Sequence, residues 1–174
     1  MADISKVTIG ACQVTHGGVD LGHTLDGVEI ELTREFEDLT VDAYGSTAVN
    51  KALTGQKITA KFKLAEIDAN RLNTAIPEAQ HAVGGSGERV GIGANAGYLL
   101  RNDAKALRLR PLRNVAGGLD TDDVNIYKAV SVESVTLAYK VDEQRVIEVT
   151  MEGLVDETYG DGRLLGHIGS ANIS

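Results

Sequence analysis

The side chains suited to metal or nucleophilic chemistry are few and scattered. His16, His23, His81 and His167 share no H-x-x-x-H or H-E-x-x-H spacing, so no zinc-type pair forms on one element, and ordinary surface or turn histidines are expected. No G-x-S-x-G elbow is present to raise a nucleophilic serine. Cys12 lies within an alternating run and reads as a packed small residue. Gly84-Gly85-Ser86-Gly87 and Gly91-Ile92-Gly93 resemble phosphate loops only in composition: no Lys-Ser/Thr follows, and no strand and helix flank them, so both read as flexible loops. Asp120, Asp122 and Asp123 could bind a hard cation weakly, but the glycine and distal glutamate of a calcium loop are missing, and solvated carboxylates are the better reading. Glu148 and Glu152 lie four residues apart on one strand, roughly 13 Å, too far to share a proton. No catalytic residue, metal or cofactor is therefore assigned, and the chain is read as a non-enzyme.

What the chain does build is strands. Its 174 residues suit one domain, and 43% apolar content supports a core, while 4% aromatics and no tryptophan make that core aliphatic. Lys57–Leu64 alternates cleanly, with Ile58, Ala60, Phe62 and Leu64 on one face. Ala65–Ile76 carries a helical stripe of Ala65, Ala69, Leu72 and Ile76, with Glu66 and Asp68 favouring its start and Pro77 ending it. So short a helix must lie on a sheet.

Upstream, Met1–Ser5 reads as an N-terminal arm and Lys6–Val14 as an alternating strand with Val7, Ile9 and Ala11 on one face. Turns at His16-Gly17-Gly18 and Leu25-Asp26-Gly27 separate short strands, and a parity change between Phe36 and Leu39 predicts a bulge near Glu37-Asp38. Ala43–Gln56 reads as a loop far longer than a hairpin's usual 2–5 residues, either functional or a flexible tip. Downstream, Glu78–Gly97 reads as a surface loop, Tyr98–Arg101 and Ala106–Leu112 as strands, Asn114–Asp123 as a polar loop and Val124–Val132 as a strand. Ser134–Glu152 gives the clearest hairpin, with its tip at Asp142-Glu143-Gln144. Residues 158–174 form a glycine-rich C-terminal arm whose Leu164, Leu165 and Ile168 suit docking on a partner or a terminal strand.

A net charge of −8 argues against stable nucleic-acid binding. The charges are also segregated. Acids from Asp20 to Asp42 meet one base, Arg34, whereas Arg101, Lys105, Arg108, Arg110 and Arg113 meet only Asp103. These are either two solvated surfaces or faces that meet between copies, with Arg101, Arg108, Arg110 and Arg113 as the basic side. A lone cysteine allows no intrachain disulfide, no run reaches the roughly 20 apolar residues of a bilayer span, and the start lacks signal-peptide features. A soluble protein of a reducing compartment, not associated with membrane, is expected.

Asp42, Gly45-Ser46-Thr47, Gly55, the strand Ile58–Leu64 and the turn Leu64-Ala65-Glu66 together resemble a pattern of the major tail tube proteins of long-tailed bacteriophages. The segment AYKVDEQRVIEVTMEGLVDE is similar to that family's C-terminal strand pair, and Ala48 departs from the family, where proline is common. The resemblance implies a mainly β, β-sandwich or barrel-like core with one short flanking helix, a long inter-strand loop and extended termini. It implies hexameric rings stacked into a tube in the virion tail, assembled in the host cytoplasm, that encloses a tape-measure protein and later passes DNA without gripping it. Tail terminator and baseplate or tip proteins would be the further partners. By position, the inter-ring loop would present Tyr44, Gly45, Ser46, Thr47, Val49, Lys51 and Leu53. Glu29, Glu31, Glu148 and Glu152, on polar strand faces, are candidates for an acidic lumen that repels phosphate. A soluble β-barrel module holding a ligand in its mouth is the competing reading.

Overall fold

A computed structural model describes residues 10–137, 144–160 and 162–170. The fold is mainly β. Cys12–His16 (β1), Val19–Asp20 (β2), Thr24–Thr40 (β3), Ala48–Leu64 (β4), Lys105–Pro111 (β7), Val124–Ser131 (β8), Ile147–Leu154 (β9) and Gly166–Ile168 (β10) form one antiparallel sheet; Gln80–Gly84 (β5) and Gly87–Gly91 (β6) form a separate hairpin. Ala69–Ala75 (α1) and Leu112–Gly117 (α2) are the two short α-helices among the described residues, where one was expected.

The large sheet runs β2-β1-β7-β8-β9-β4-β3, with β10 alongside β8. Its first and last strands are joined by only Leu21–His23. Six inter-strand steps in a flat sheet would separate them by roughly 29 Å, but the link from Asp20 to Thr24 spans at most about 15 Å. The sheet must therefore curl on itself, in a barrel-like manner. The hydrogen bonds from Leu21 N–H to Val14 and from Ala65 N–H to His23 tie the ends together.

The alternation read from sequence fills the inside of the curl. Ile58, Ala60, Phe62 and Leu64 from β4, Leu107 and Leu109 from β7, and Ile147, Val149 and Met151 from β9 are all buried in one cluster. In strand β1, Val14 and His16 point inward while Ala11 is exposed; Val7 and Ile9 of the face read from sequence lie, with the N-terminal arm, among residues 1–9, outside the described residues. The pairing of Val14 with Leu109 and of His16 with Leu107 sets this face, because both partners are core residues.

Helix α1 is shorter than its stripe suggests. Asp68 caps it, accepting from the Arg71 N–H at 2.8 Å, and Ala65 is instead bound to His23, so residues 65–68 cannot coil. Ala75 packs into the core and the helix ends at Ile76, before Pro77, as expected. Arg71 donates from Nε to the Leu21 carbonyl at 2.7 Å, which pins α1 over the β2–β3 link.

Several expected loops are ordered. Residues 78–97 are not a plain surface loop but contain the β5–β6 hairpin, turned by Gly85-Ser86, so the glycine run is a tight turn and not a phosphate cradle. Residues 98–101 form no strand; a 3-10 turn occupies Leu100–Asn102, and the Tyr98 hydroxyl donates to Asp103 at 2.5 Å. The polar stretch after β7 begins with α2, closed by Gly118 at φ 66°. Strand β9 pairs with β4 and β8; of the hairpin expected over Ser134–Glu152, an antiparallel Leu137–Ile147 bridge is present among the described residues, and residues 138–143, with the expected tip, lie outside them. The C-terminal segment does not extend away as an arm through 170. The Asp156 N–H bonds the Leu164 carbonyl, the Tyr127 N–H bonds Leu165, and β10 adds to β8 as a terminal strand.

Candidate assembly surface

The expected loop 43–56 is mostly strand. β3 and β4 pair from Thr24–Leu64 outward to Thr40–Ala48, and only residues 41–47 turn. β9 accompanies β4 no further than Thr59, so on its outer length β4 has only β3 beside it among the described residues. The result is a two-stranded arm reaching about 26 Å beyond the sheet at the usual strand rise over Thr33–Thr40. It was unreadable as strand because no core dictates its pattern, and because bulges break its parity. The predicted bulge at Glu37-Asp38 is on the partner strand instead: pairing jumps from Glu35–Gly55 to Phe36–Leu53, and again from Leu39–Asn50 to Thr40–Ala48, leaving Thr54 and Val49 as the extra residues. A third irregularity, where a turn was expected, is a bulge at Asp26-Gly27 inside β3, with φ of 61° and 84°.

The core face runs out onto the arm. Ile58, Ala60 and Phe62 on β4 oppose Leu32, Ile30 and Val28, and the same face continues to the Phe36–Leu53 pair. Phe36 and Leu53 are each 51% exposed, with the Arg34 guanidinium 5.8 Å over the Phe36 ring. At the tip, the Tyr44 N–H bonds Val41, the Gly45 N–H bonds Asp42 and the Thr47 N–H bonds Tyr44. Gly45 takes φ 61°, which a side chain would resist. Of the expected contact residues, Tyr44, Gly45, Ser46 and Thr47 form this turn, whereas Val49, Lys51 and Leu53 belong to β4. Tyr44 is the most exposed of the large apolar side chains on the arm, at 66%. Lys51 is ion-paired with Asp38, its partner across the strands.

The four candidate lumen acids come together. Glu29 and Glu31 on β3 and Glu148 and Glu152 on β9 stand on the face of the sheet opposite the core, flanking Lys57, Lys61 and Lys63 of β4. Lys57 pairs with Glu152 at 2.6 Å, Lys63 with Asp26 at 2.9 Å and Glu148 at 3.6 Å, and Lys61 with Glu31 at 3.9 Å. The face is a mosaic in which carboxylates outnumber ammonium groups. The neighbouring carboxylates hold Lys57 and Lys63 above the usual lysine range, through Glu152 and Asp26 first.

The candidate basic face is different from expectation. Arg108 and Arg110 both reach Asp123, whose side chain is fully buried, and Arg113 is ion-paired with Asp122; Arg101 lies 4.0 Å from Glu157. The Asn114 amide donates to the other Asp123 oxygen at 3.2 Å, and Arg110 also bonds the Leu119 carbonyl at 2.6 Å. Counting charge along the chain missed this, because pairing of β7 with β8 sets Asp123 beside residues that precede it by more than ten positions. Asp123 is therefore buried and ion-paired, not solvated; Asp122 is ion-paired but stays exposed, and Asp120 accepts from Ser170 at 2.7 Å.

Among the described residues no group of three or more His, Cys, Asp or Glu is placed to hold a metal ion, and no helix is long and apolar enough to cross a membrane. His16 is buried against the Ala129 carbonyl at 3.0 Å, and His167 lies between Tyr127 and Asn125. Cys12 is half-buried, and burial pushes its thiol up, away from nucleophilic thiolate. No family model and no curated protein matches the chain.

Proposed function

We propose that this chain is a structural subunit that assembles with copies of itself into stacked hexameric rings, forming the tail tube of a long-tailed phage particle. The observation that carries the reading is the arm. A two-stranded ribbon alone in water is marginally stable, yet this one projects with Leu32, Phe36, Leu39, Val41, Tyr44, Val49 and Leu53 all 44% exposed or more. Such a patch is an interaction surface that another copy can cover. The mosaic of Glu29, Glu31, Glu148 and Glu152 fits a conduit wall, since excess carboxylate repels passing phosphate while the lysines limit repulsion between subunits. Tape-measure, terminator and tip proteins would be the partners of the finished tube, and the host cytoplasm the place where it is built. The ligand-module reading needs an open apolar interior, and the inside of this sheet is filled by Leu107, Ile126, Ile147 and Met151.

Negative-stain electron microscopy of the purified protein over a concentration series tests the reading. Rings or hollow tubes are expected. A strictly monomeric species at high concentration would overturn it.

A further inference from the structure

A groove of about 390 Å³ lies between the root of the arm and the C-terminal strand. Leu32 and Ile58 line one side of it, and Leu164, Leu165 and Ile168 the other. Ile168 is 75% exposed and Leu32 53%, so the groove is open and apolar. Its volume falls in the range of about 300–1,000 Å³ that encloses a compact ligand. Arg163, which falls between the lining residues Gly162 and Leu164 in sequence, is exposed and without an ion pair among the described residues.

The arm tip carries the complementary set. Tyr44, Val41 and Val49 are apolar and exposed, and Asp42, at the head of the turn, is exposed and has no ion pair among the described residues. Tip and groove sit at opposite ends of one paired ribbon, about 26 Å apart along the strands. A hydrogen-bonded ribbon cannot fold back that far on its own root, so a tip can enter only the groove of another copy. That contact is head-to-tail, and a head-to-tail contact propagates instead of closing on a dimer.

We propose that the groove between the arm root and β10 is the receptor for the arm tip of a second copy, with Tyr44 as the apolar anchor and Asp42 paired to Arg163. This rests on the self-assembly reading and adds to it the surface that receives the arm. It also gives the C-terminal strand a role, because β10 supplies one wall.

Two variant sets test it in the full chain. In a Cys12→Ala background, Tyr44→Cys combined with Ile168→Cys should give, on oxidation, a ladder of covalent multimers on a non-reducing gel, whereas each single variant stops at dimer. Asp42→Arg and Arg163→Asp should each slow tube growth, roughly tenfold as for a rim charge that steers association, and the two together should recover it. Tubes that form without the ladder, or a charge swap that does not recover, would overturn the groove while leaving self-assembly standing. A wild-type protein that stays monomeric throughout would overturn both.

Discussion

Arg108 donates from Nε to Oδ2 of Asp123 at 2.9 Å, and the Asp123 side chain has no contact with solvent. A carboxylate so placed is tolerable only because Arg108, Arg110 and Asn114 share it. The same residues anchor the chain termini of two elements: the Gly169 N–H bonds the Asp123 carbonyl, and Asn114 lies in α2. The network therefore ties β7, α2, the start of β8 and the end of the C-terminal strand into one unit.

Replacing Asp123 with Ala leaves two guanidinium groups without their shared partner. Breaking a buried pair costs about 3–5 kcal/mol. Because the Arg108 side chain is 42% exposed and can turn to water, a loss of about 2–4 kcal/mol is expected. Urea unfolding monitored by circular dichroism measures it. Reversal of Arg108 to Glu should behave similarly, lowering stability first and assembly only as a consequence, so its midpoint must be measured before any assembly defect is interpreted.

The core strands were legible because burial imposes period two on them. Ile58 to Leu64, Leu107 with Leu109, and Ile147 to Met151 face the interior as their alternation predicts. Elements not facing the core carried no such signal. The outer half of β4 is wet on both faces and broken by bulges at Thr54 and Val49, so together with the Gly45-Ser46-Thr47 turn before it, it read as loop. That the chain makes a long excursion around Tyr44 was legible; its form as a paired two-stranded ribbon was not. The Asp123 cluster was invisible for another reason: its members converge only once β7 and β8 pair, and no spacing in sequence encodes that. Parity alone put the four acids Glu29, Glu31, Glu148 and Glu152 on polar strand faces; that they flank one strand follows from the pairing of both β3 and β9 with β4, which parity does not encode.

His16 makes stability pH-dependent. Burial holds its imidazole below the usual range; the hydrogen bond to Ala129 opposes this and the Lys105 charge reinforces it. In the unfolded chain the group titrates near about 6.5, so below that pH the unfolded state takes up the proton more readily. Stability from His16 is thus present at neutral pH and lost as pH falls through about 6.5 toward the lower folded value. Thermal melting at pH 8, 7, 6 and 5 should show a downward slope over the last two steps, and His16→Leu should flatten it. An identical slope in the variant would assign the effect to other groups.

Close approach of backbone fixes two glycines. A Cβ on Gly153 would sit 2.4 Å from Ile58 Cγ2 and 2.9 Å from Ile126 Cγ2, inside the core, so Gly153→Ala should cost about 1–3 kcal/mol as overpacking. On Gly166 a Cβ would lie 2.2 Å from the Asn125 carbonyl oxygen, in the ladder that holds β10 to β8. Gly166→Ala should therefore loosen the C-terminal strand while sparing the rest of the sheet. Hydrogen exchange would read this as lost protection at Tyr127 and Gly169, whose N–H groups bond to Leu165 and Asp123, with protection in β4 and β9 unchanged.

The arm separates folding from assembly most directly. Joining Arg34 to Gln56 through Asn-Gly removes everything from Glu35 to Gly55, and the Arg34–Gln56 pair already faces across the ribbon at the right spacing for a two-residue turn. The deleted residues have no buried side chain, and β4 keeps its pairing with β9 from Thr59 to Leu64. The shortened protein should melt within a few degrees of wild type, since removal of surface away from the core changes stability little. Under the proposed function it should form no tubes at any concentration where the full chain does. Tubes of normal length from the shortened protein would show that the arm is not the contact that joins one ring to the next.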